Sequence, residues 1–326
     1  MRIAIIGAGI AGLSAAQTLR SADVEVTVYD KGRGPGGRTV SKRTDHGSID
    51  LGAPYFTARE ADFRDQVARW AHAGVIEPWS ITPVVLPERQ PARDQARLVA
   101  VPRMSALAKH MADGLNVHVG VQVSEINREL TGWVLRERHG ETLGEFDAVL
   151  LTAPAPQAQS LLAEPCPGLA AQVAQARMQP CWAVGLVLER PLNVDFAAGF
   201  PSRGPLSWVA HAGSRPQRAQ WPDIWVLHAS TAWSEANIEW AADQVASELT
   251  EAFADLLRET PAVTQAIAHR WRFARTREPL AAPAGFLEHE DLYCAGDWVT
   301  DGRVEGAWQS GRAAAMRLLT RLDDSR

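Results

Sequence analysis

Residues 2–30 read RIAIIGAGIAGLSAAQTLRSADVEVTVYD, and this stretch decides the fold of the 326-residue chain. The short apolar run over 2–6 is typical of a buried parallel strand. A Gly-x-Gly-x-x-Gly turn follows, then a helical stretch over 13–19 and a second apolar run ending at Asp30. This order predicts a strand–turn–helix–strand unit that binds a dinucleotide.

Each part of the turn has a physical role in such a unit. A glycine at the first position permits the tight turn, the second lets the backbone approach a pyrophosphate, and the third lets helix and strand pack closely. The helix N-terminus supplies free N–H groups and a positive dipole. The predicted phosphate-binding residues are Gly7, Gly9, Ile10, Ala11 and Gly12. The carboxylate of Asp30 is expected to accept hydrogen bonds from ribose hydroxyls.

Composition limits the classes of protein to consider. Hydrophobic residues make up 46% and charged residues 22%, which is ordinary for a globular protein and excludes disorder, collagen and coiled coil. A net charge of −5 gives no electrostatic footprint for a nucleic-acid partner. No apolar run is long enough for a membrane span. Three cysteines without a Cys-x-x-Cys pair exclude a cysteine metal site and favour a reducing, cytoplasmic setting.

A second glycine-rich loop, KGRGPGGRT at residues 31–39, directly follows the acid. It adds backbone donors and a guanidinium beside the same pyrophosphate, through Lys31, Gly36, Gly37 and Arg38. The alternative is a flexible turn with solvated arginines. A Gly-x-Gly-x-x-Gly turn, an acid and then Gly-x-Gly-Gly-Arg resembles the flavin-binding signature of the FAD-dependent amine oxidase superfamily.

The run DLGAPYFTAR at residues 50–59 narrows the resemblance to the renalases, particularly the bacterial ones. The resemblance implies that Ala53, Pro54 and Tyr55 are neighbours of the flavin. Relatives often carry glutamine where Pro54 stands, and proline has no N–H, so a polar contact at that position is expected to be missing. Ala100 and Arg103 also depart from the family pattern, so no contact is carried over to them.

The C-terminal part carries an independent motif. LYCAGDW at 292–298 and RVEGAWQSGRAA at 303–314 resemble the C-terminal FAD motif of the same superfamily. The resemblance implies that Gly296 and Asp297 meet the ribityl or pyrophosphate region. It also implies that backbone N–H groups at the positive end of the following helix face the flavin ring, at Val304, Glu305 and Gly306. By the same resemblance, the strand at Val123 lies beside the adenine.

Between these motifs, several segments alternate between apolar and polar residues, and this alternation predicts the strands of an antiparallel sheet. Most of the tryptophans lie in the same region. The predicted fold is α/β: a Rossmann-type FAD-binding domain interleaved with a substrate domain built on an antiparallel sheet plus helices. The FAD-binding domain is predicted over 1–75, 99–155 and 285–326, and the substrate domain over 76–98 and 156–284. No cysteine lies where relatives attach flavin, so FAD is expected to bind non-covalently.

Two strands of the substrate domain carry the candidate pocket residues. We expect Trp225, His228 and Arg270 to recognise the substrate, with no residue essential to the chemistry, because the sequence shows no nucleophile–base pair. Strand alternation puts His269, Trp271 and Phe273 on one face, with Arg270 and Arg272 on the other. The sequence does not show which face lines the pocket.

The renalase resemblance implies a reaction. It predicts oxidation of the 1,2- and 1,6-dihydro isomers of NAD(P)H to NAD(P)+, with hydride transfer to FAD and reduction of O2 to H2O2. An amine oxidase is a competing hypothesis, although no lysine follows Lys109. A non-catalytic flavin-binding redox sensor and a protein with NAD as its fixed cofactor are two further hypotheses. The preferred isomer, the phosphate form and the oligomeric state stay open.

Overall fold

A mixed six-stranded sheet forms the dinucleotide-binding side of the molecule. The computed structural model describes residues 1–300 and 302–324, with side chains as far as Arg321. Numbered along the chain, the strands lie in the order β19 (Leu287–His289), β20 (Leu292–Cys294), β13 (Ala148–Leu151), β1 (Arg2–Ile6), β2 (Glu25–Asp30) and β9 (Asn116–Val119). All pairs are parallel except β19 with β20. β1 is central and apolar, as a buried parallel strand requires.

The two ends of the chain meet through a pair of helices. α1 (Ile10–Arg20) packs along α8 (Arg303–Asp324), with glycine at the closest approach. A Cβ at Gly311 would lie 2.0 Å from the carbonyl oxygen of Ala11, so no larger residue fits there. α2 (Ala61–His72) and α3 (Ser105–Ala112) complete this side. The first and last motifs of the sequence therefore belong to one structural unit.

A three-stranded meander and two helices cover the other face of the six-stranded sheet. The meander is β10 (Val123–Arg128), β11 (Trp133–Glu137) and β12 (Thr142–Phe146). α4 (Ala155–Leu162) and α5 (Pro167–Val173) share its apolar cluster, which also holds β13 and β20 residues. In this part of the chain the strands of the second sheet therefore begin after α5.

A seven-stranded sheet forms the second layer. Its order is β18 (Val263–Glu278), β14 (Arg177–Leu188), β17 (Asp223–Ala229), β16 (Leu206–His211), β15 (Ala198–Pro201), β6 (Val84–Leu86) and β7 (Gln90–Pro91). Only β15 and β6 pair in parallel. Two short antiparallel pairs of strands lie outside both sheets. They are β3 (Lys42–Thr44) with β4 (Gly47–Ile49), and β5 (Ile76–Pro78) with β8 (Leu98–Ala100).

The two faces of this second sheet bury different partners. α6 (Thr231–Ala236) and α7 (Ala242–Leu257) cover one face, where Leu249 and Phe253 pack on the strands. The other face meets Ile49 and Leu51 of the first unit, with Gly185 at the contact. This arrangement confirms the predicted α/β fold with a dinucleotide-binding domain and a substrate domain. Among the described residues no helix combines the length and apolarity needed to cross a bilayer.

Candidate flavin and substrate site

The Gly-x-Gly-x-x-Gly turn lies at the carboxyl end of β1. Gly7 has φ +115°, a conformation that favours glycine, and its N–H donates to the carbonyl of Tyr29 at 2.8 Å. Gly9 is the N-cap residue of α1. Because glycine has no side chain, no capping side chain accepts hydrogen bonds from the first N–H groups of this helix. A Cβ at Gly9 would meet no atom of the described residues within 4 Å. The helix start thus offers free donors beside open space, as a phosphate needs.

The second glycine loop lies against the first. The N–H of Gly36 donates to the carbonyl of Ala8 at 2.8 Å, and both Gly36 and Gly37 have positive φ. A Cβ at Gly37 would lie 3.5 Å from the Cα of Gly9. Lys31 is exposed at the edge of this loop. The two loops therefore form one backbone-lined cradle, as their spacing in the sequence predicts.

Asp30 holds the two loops together. Its Oδ2 accepts from the N–H of Ala8 at 2.7 Å and its Oδ1 accepts from the N–H of Gly32 at 2.6 Å. Each carboxylate oxygen has a further lone pair, so a ribose hydroxyl can still donate to it. Sequence reasoning gave Asp30 only the ribose contact; in the structure it also positions the cradle.

Arg38 and Asp297 face each other across the site. Two guanidinium nitrogens contact the two carboxylate oxygens at 2.5 and 2.9 Å, and the Asp297 side chain is only 7% exposed. The predicted cofactor residues Arg38 and Asp297 are therefore also partners of each other, a contact that the sequence did not predict. Beside them, the N–H of Gly296 donates to Oγ of Ser310 at 2.8 Å, which ties the Gly-Asp turn to α8.

The carboxylate of Glu305 has a structural partner. Its Oε1 accepts from the N–H groups of Arg59 and Glu60 at 2.9 and 2.7 Å, at the start of α2. The side chain therefore joins α8 to α2, while the backbone of Val304 and Gly306 belongs to the first turn of α8. Val123 is buried in the same apolar cluster as Tyr29.

These residues fit FAD. The uncapped helix start and the open face of Gly9 accommodate a pyrophosphate, and Asp30 retains acceptor capacity for a ribose. The loop that follows Leu51 passes between the cradle and the second sheet, since the N–H of Ala53 donates to the carbonyl of Arg38 at 2.9 Å.

A row of side chains crosses that sheet on the face toward the cradle. Strand pairing aligns Trp208 with His228, His228 with Ala183, and Ala183 with His269, on β16, β17, β14 and β18. Next to this row, Nε1 of Trp271 donates to the carbonyl of Leu51 at 2.8 Å. The row and the segment after Leu51 are therefore adjacent, and together they are the candidate substrate-binding surface.

His228 is neutral at ordinary pH. Burial, together with the positive charges of Arg275 and Arg215, lowers its pKa from 6.5 to about 3, against a hydrogen bond to the backbone of Leu51 that raises it. Burial and the charge of Lys42 also lower the pKa of His269. A neutral imidazole on this surface can recognise a substrate but lacks the second, imidazolium proton that a histidine donates as a general acid.

The low pKa of His228 makes stability depend on pH. The unfolded histidine binds a proton below about pH 6.5, whereas the folded one stays neutral until about pH 3, so acidification favours unfolding in this interval. We expect the free energy of unfolding to fall on acidification by up to about 1.4 kcal/mol per pH unit from this group. Denaturant titrations of the wild type and of His228→Gln at several pH values measure this pH dependence of the free energy of unfolding. If the free energy of unfolding changes equally with pH in the two proteins, His228 does not have the low pKa described here.

Two predicted pocket residues, Trp225 and Arg270, lie on the face of the second sheet that packs against α7. Trp225 packs against Phe253 and stacks on His211, on the α7 side of the sheet. Arg270 donates to the carbonyl of Ile238 at 2.9 Å and pairs with Glu239, also on that side. Neither side chain shares the face that carries His228, because strand alternation points both of them to the α7 side.

The predicted alternation along β18 is confirmed. Arg270 and Arg272 share one partner, Glu239, while His269 and Trp271 are in contact on the opposite face, with ring centroids 4.3 Å apart. The sequence pattern was therefore sufficient to separate the two faces of β18, although it did not show which of them meets the first unit.

Sequence reasoning missed three charged residues beside the site. Asp50 accepts from Nη2 of Arg218 at 2.8 Å, and both side chains are buried. Arg215, from the same loop between β16 and β17, donates through Nε to the carbonyl of Pro54 at 3.3 Å. The available signal was a Ser-Arg-Pro-Gln-Arg loop between two apolar strands, which sequence alone reads as a solvated turn.

Comparisons with known proteins agree with this geometry. A family model described as flavin containing amine oxidoreductase matches residues 71–319, and a model of an NAD(P)-binding Rossmann-like domain matches residues 5–70. The chain belongs to the flavin-containing amine oxidoreductase family. It is thus a member of the FAD-dependent amine oxidase superfamily and a flavin-dependent oxidoreductase by family.

Curated relatives match only part of the chain. Hydroxyneurosporene desaturase of Rubrivivax gelatinosus is 36% identical over 83 residues, which is 26% of this chain and 15% of that protein. Coproporphyrinogen III oxidase of Staphylococcus aureus (strain NCTC 8325 / PS 47) is 42% identical over 60 residues, 18% of this chain and 13% of that protein. The matches thus span less than a sixth of the length of these relatives.

Solved structures are similar over nearly the whole chain. A crystal structure provisionally assigned as protoporphyrinogen oxidase, from Exiguobacterium sp. 255-15, superposes with a TM-score of 0.76 at 14% identity. Wild-type putrescine oxidase bound to putrescine superposes with a TM-score of 0.70, also at 14% identity. Each superposition covers 98% of this chain and 99% of the other. At this identity the likeness shows the fold alone.

Proposed function

We propose that the protein is a renalase-like oxidase, which converts the 1,2- and 1,6-dihydro isomers of NAD(P)H to NAD(P)+. FAD, bound non-covalently, supplies hydride acceptance and reoxidation by O2 to give H2O2. The chain itself binds the cofactor through the glycine cradle and holds the substrate ring against the row on the second sheet and the segment after Leu51. Such a transfer needs orientation and exclusion of water rather than an acid or base.

The charge of the candidate substrate-binding surface carries this proposal. Arg215 is a buried cation, and Asp50, whose charge acts on it, is already paired with Arg218. The charges of Arg215 and Arg275 both act on His228. This surplus of positive charge opposes an alkylammonium substrate and favours a dinucleotide that carries phosphates.

Amine oxidation is the second candidate. The family description and the fold likeness to putrescine oxidase favour it at the level of the family. Many amine oxidases of the superfamily place a lysine near the flavin from the second half of the chain, and this chain has no lysine after Lys109. Lys42 does approach His269, closely enough for its charge to lower the pKa of that histidine.

A turnover assay separates the candidates. In air, we expect a borohydride-reduced NAD+ mixture to yield NAD+ and H2O2 in equal amounts, with pure 1,4-NADH and a panel of alkylamines and arylalkylamines giving neither. Formation of H2O2 with an amine alone would refute the proposal and establish the second candidate. A flavoprotein that turns over no member of either panel would point instead to a binding or sensing role.

A further inference from the structure

Arg215 is buried without a full set of partners. The residue is 2% exposed, and its guanidinium carbon lies 4.6 Å from the ring centroid of Trp79. Its Nε donates to the carbonyl of Pro54, but Nη1 and Nη2 are both buried and have no hydrogen-bond partner in the described part of the chain. Buried donors of this kind are costly and are normally satisfied by a ligand or another group.

His228 presents a complementary atom. Its Nε2 is also buried without a hydrogen-bond partner among the residues described. We infer that Nδ1 is the nitrogen that donates toward the backbone of Leu51, which raises the pKa of this histidine. In the neutral ring the nitrogen that donates carries the proton, and the other nitrogen is an acceptor. Nε2 of His228 is therefore an unsatisfied acceptor, while Nη1 and Nη2 of Arg215 are unsatisfied donors.

Aromatic rings surround these two groups. Trp79 lies under the guanidinium of Arg215, and Trp208, which pairs with His228 across the sheet, packs against both Trp79 and Tyr55 with centroid separations of 6.2 and 5.6 Å. Such aromatic surroundings suit a flat ring. A planar substituent with one acceptor and one donor would satisfy Arg215 and His228 together.

We propose that Arg215 and His228 recognise a primary carboxamide on the substrate ring. Arg215 donates to the carboxamide oxygen, and Nε2 of His228 accepts from the carboxamide nitrogen. The inference rests on the proposed function, since a dihydronicotinamide carries this group, and it makes Arg215 a specificity residue. A carboxylate would gain from Arg215 but would place an oxygen lone pair against that of His228.

Ligand binding without turnover tests the inference. Titration of the oxidised flavoprotein with nicotinamide, nicotinate and 3-acetylpyridine, followed by flavin absorbance, compares the amide with a carboxylate and with a ketone that lacks the N–H. We expect nicotinamide to bind about tenfold more tightly than either analogue. The preference over 3-acetylpyridine should vanish in His228→Phe. Equal binding of all three probes to the wild type would overturn the inference.

Arg215→Met tests the donor side. We expect its dissociation constant for nicotinamide to rise about tenfold or more, with normal flavin content and an unchanged or higher melting temperature, because a buried cation is removed while packing on Trp79 is kept. Arg203→Met, in the exposed turn between β15 and β16, is the matched control and should bind nicotinamide like the wild type. Unchanged binding by Arg215→Met would refute the inference.

The proposed function and this inference fail in different ways. If the isomers are oxidised but Arg215→Met binds nicotinamide like the wild type, the recognition by Arg215 is wrong and the reaction stands. If the wild type oxidises amines and not the isomers, the proposed function is wrong whatever the ligand titrations give. Tighter binding of nicotinate than of nicotinamide would assign the site to a carboxylate and refute the carboxamide.

Discussion

Gly9→Val should give a folded protein that no longer holds flavin. Gly9 has an ordinary extended backbone, φ −78° and ψ −177°, and a Cβ there would meet no protein atom within 4 Å. The valine side chain would instead fill the space before the start of α1, where the pyrophosphate must approach the backbone. We expect the dissociation constant for FAD to rise by about 100-fold or more, which corresponds to about 3 kcal/mol.

Flavin content after purification and titration of the apoprotein with FAD measure this effect. Gly168→Val is the matched control, because a Cβ at Gly168, on α5, also meets no atom within 4 Å and lies outside the cradle. Gly12→Val should instead fail to fold, because a Cβ there would lie 1.9 Å from the carbonyl oxygen of Gly7. Wild-type FAD affinity in Gly9→Val would mean that the cofactor does not lie against this turn.

Asp50→Ala should cause the largest loss of stability. Asp50 is 3% exposed and accepts hydrogen bonds from Ser41, from the backbone of Met104 and from Arg218. Its removal leaves the buried guanidinium of Arg218 without a counter-charge, close to that of Arg215. Breaking a buried pair from one side costs about 3–5 kcal/mol, and we expect a loss of this size in the free energy of unfolding.

Urea denaturation of the flavin-loaded protein measures that loss. The double variant Asp50→Asn with Arg218→Met removes both charges, so we expect it to unfold less easily than Asp50→Ala. Asp195→Ala is a control, because Asp195 pairs with Arg89 in an exposed position where an ion pair contributes little. A cost below about 1 kcal/mol for Asp50→Ala would show that the buried pair does not hold the two layers together.

Local patterns predicted the cofactor side of the molecule. The turn at Gly7 to Gly12 and the acid at Asp30 depend on neighbouring residues, and strand, turn and helix follow one another within about thirty positions. The C-terminal motif around Asp297 is local in the same sense. Both motifs lie in one unit because α1 packs on α8, a contact the paired motifs implied.

The candidate substrate-binding surface depends on contacts between distant parts of the chain, which a single sequence does not show. Alternation separated His269 from Arg270 but did not say which face of the sheet meets the first unit. Arg215 reaches Pro54 across 161 residues of sequence, and its own loop has no periodic pattern. The pairing of Arg38 with Asp297 was missed for the same reason, since each motif by itself assigns its charged residue to the cofactor.

Anaerobic reduction of the bound flavin by a single purified isomer tests the central claim most directly. We predict that 1,6-dihydro-NAD bleaches the flavin absorbance band rapidly and leaves one NAD+ per flavin, whereas 1,4-NADH and amines leave the band unchanged. Bleaching by an amine, with none by the 1,6- or the 1,2-isomer, would contradict the account.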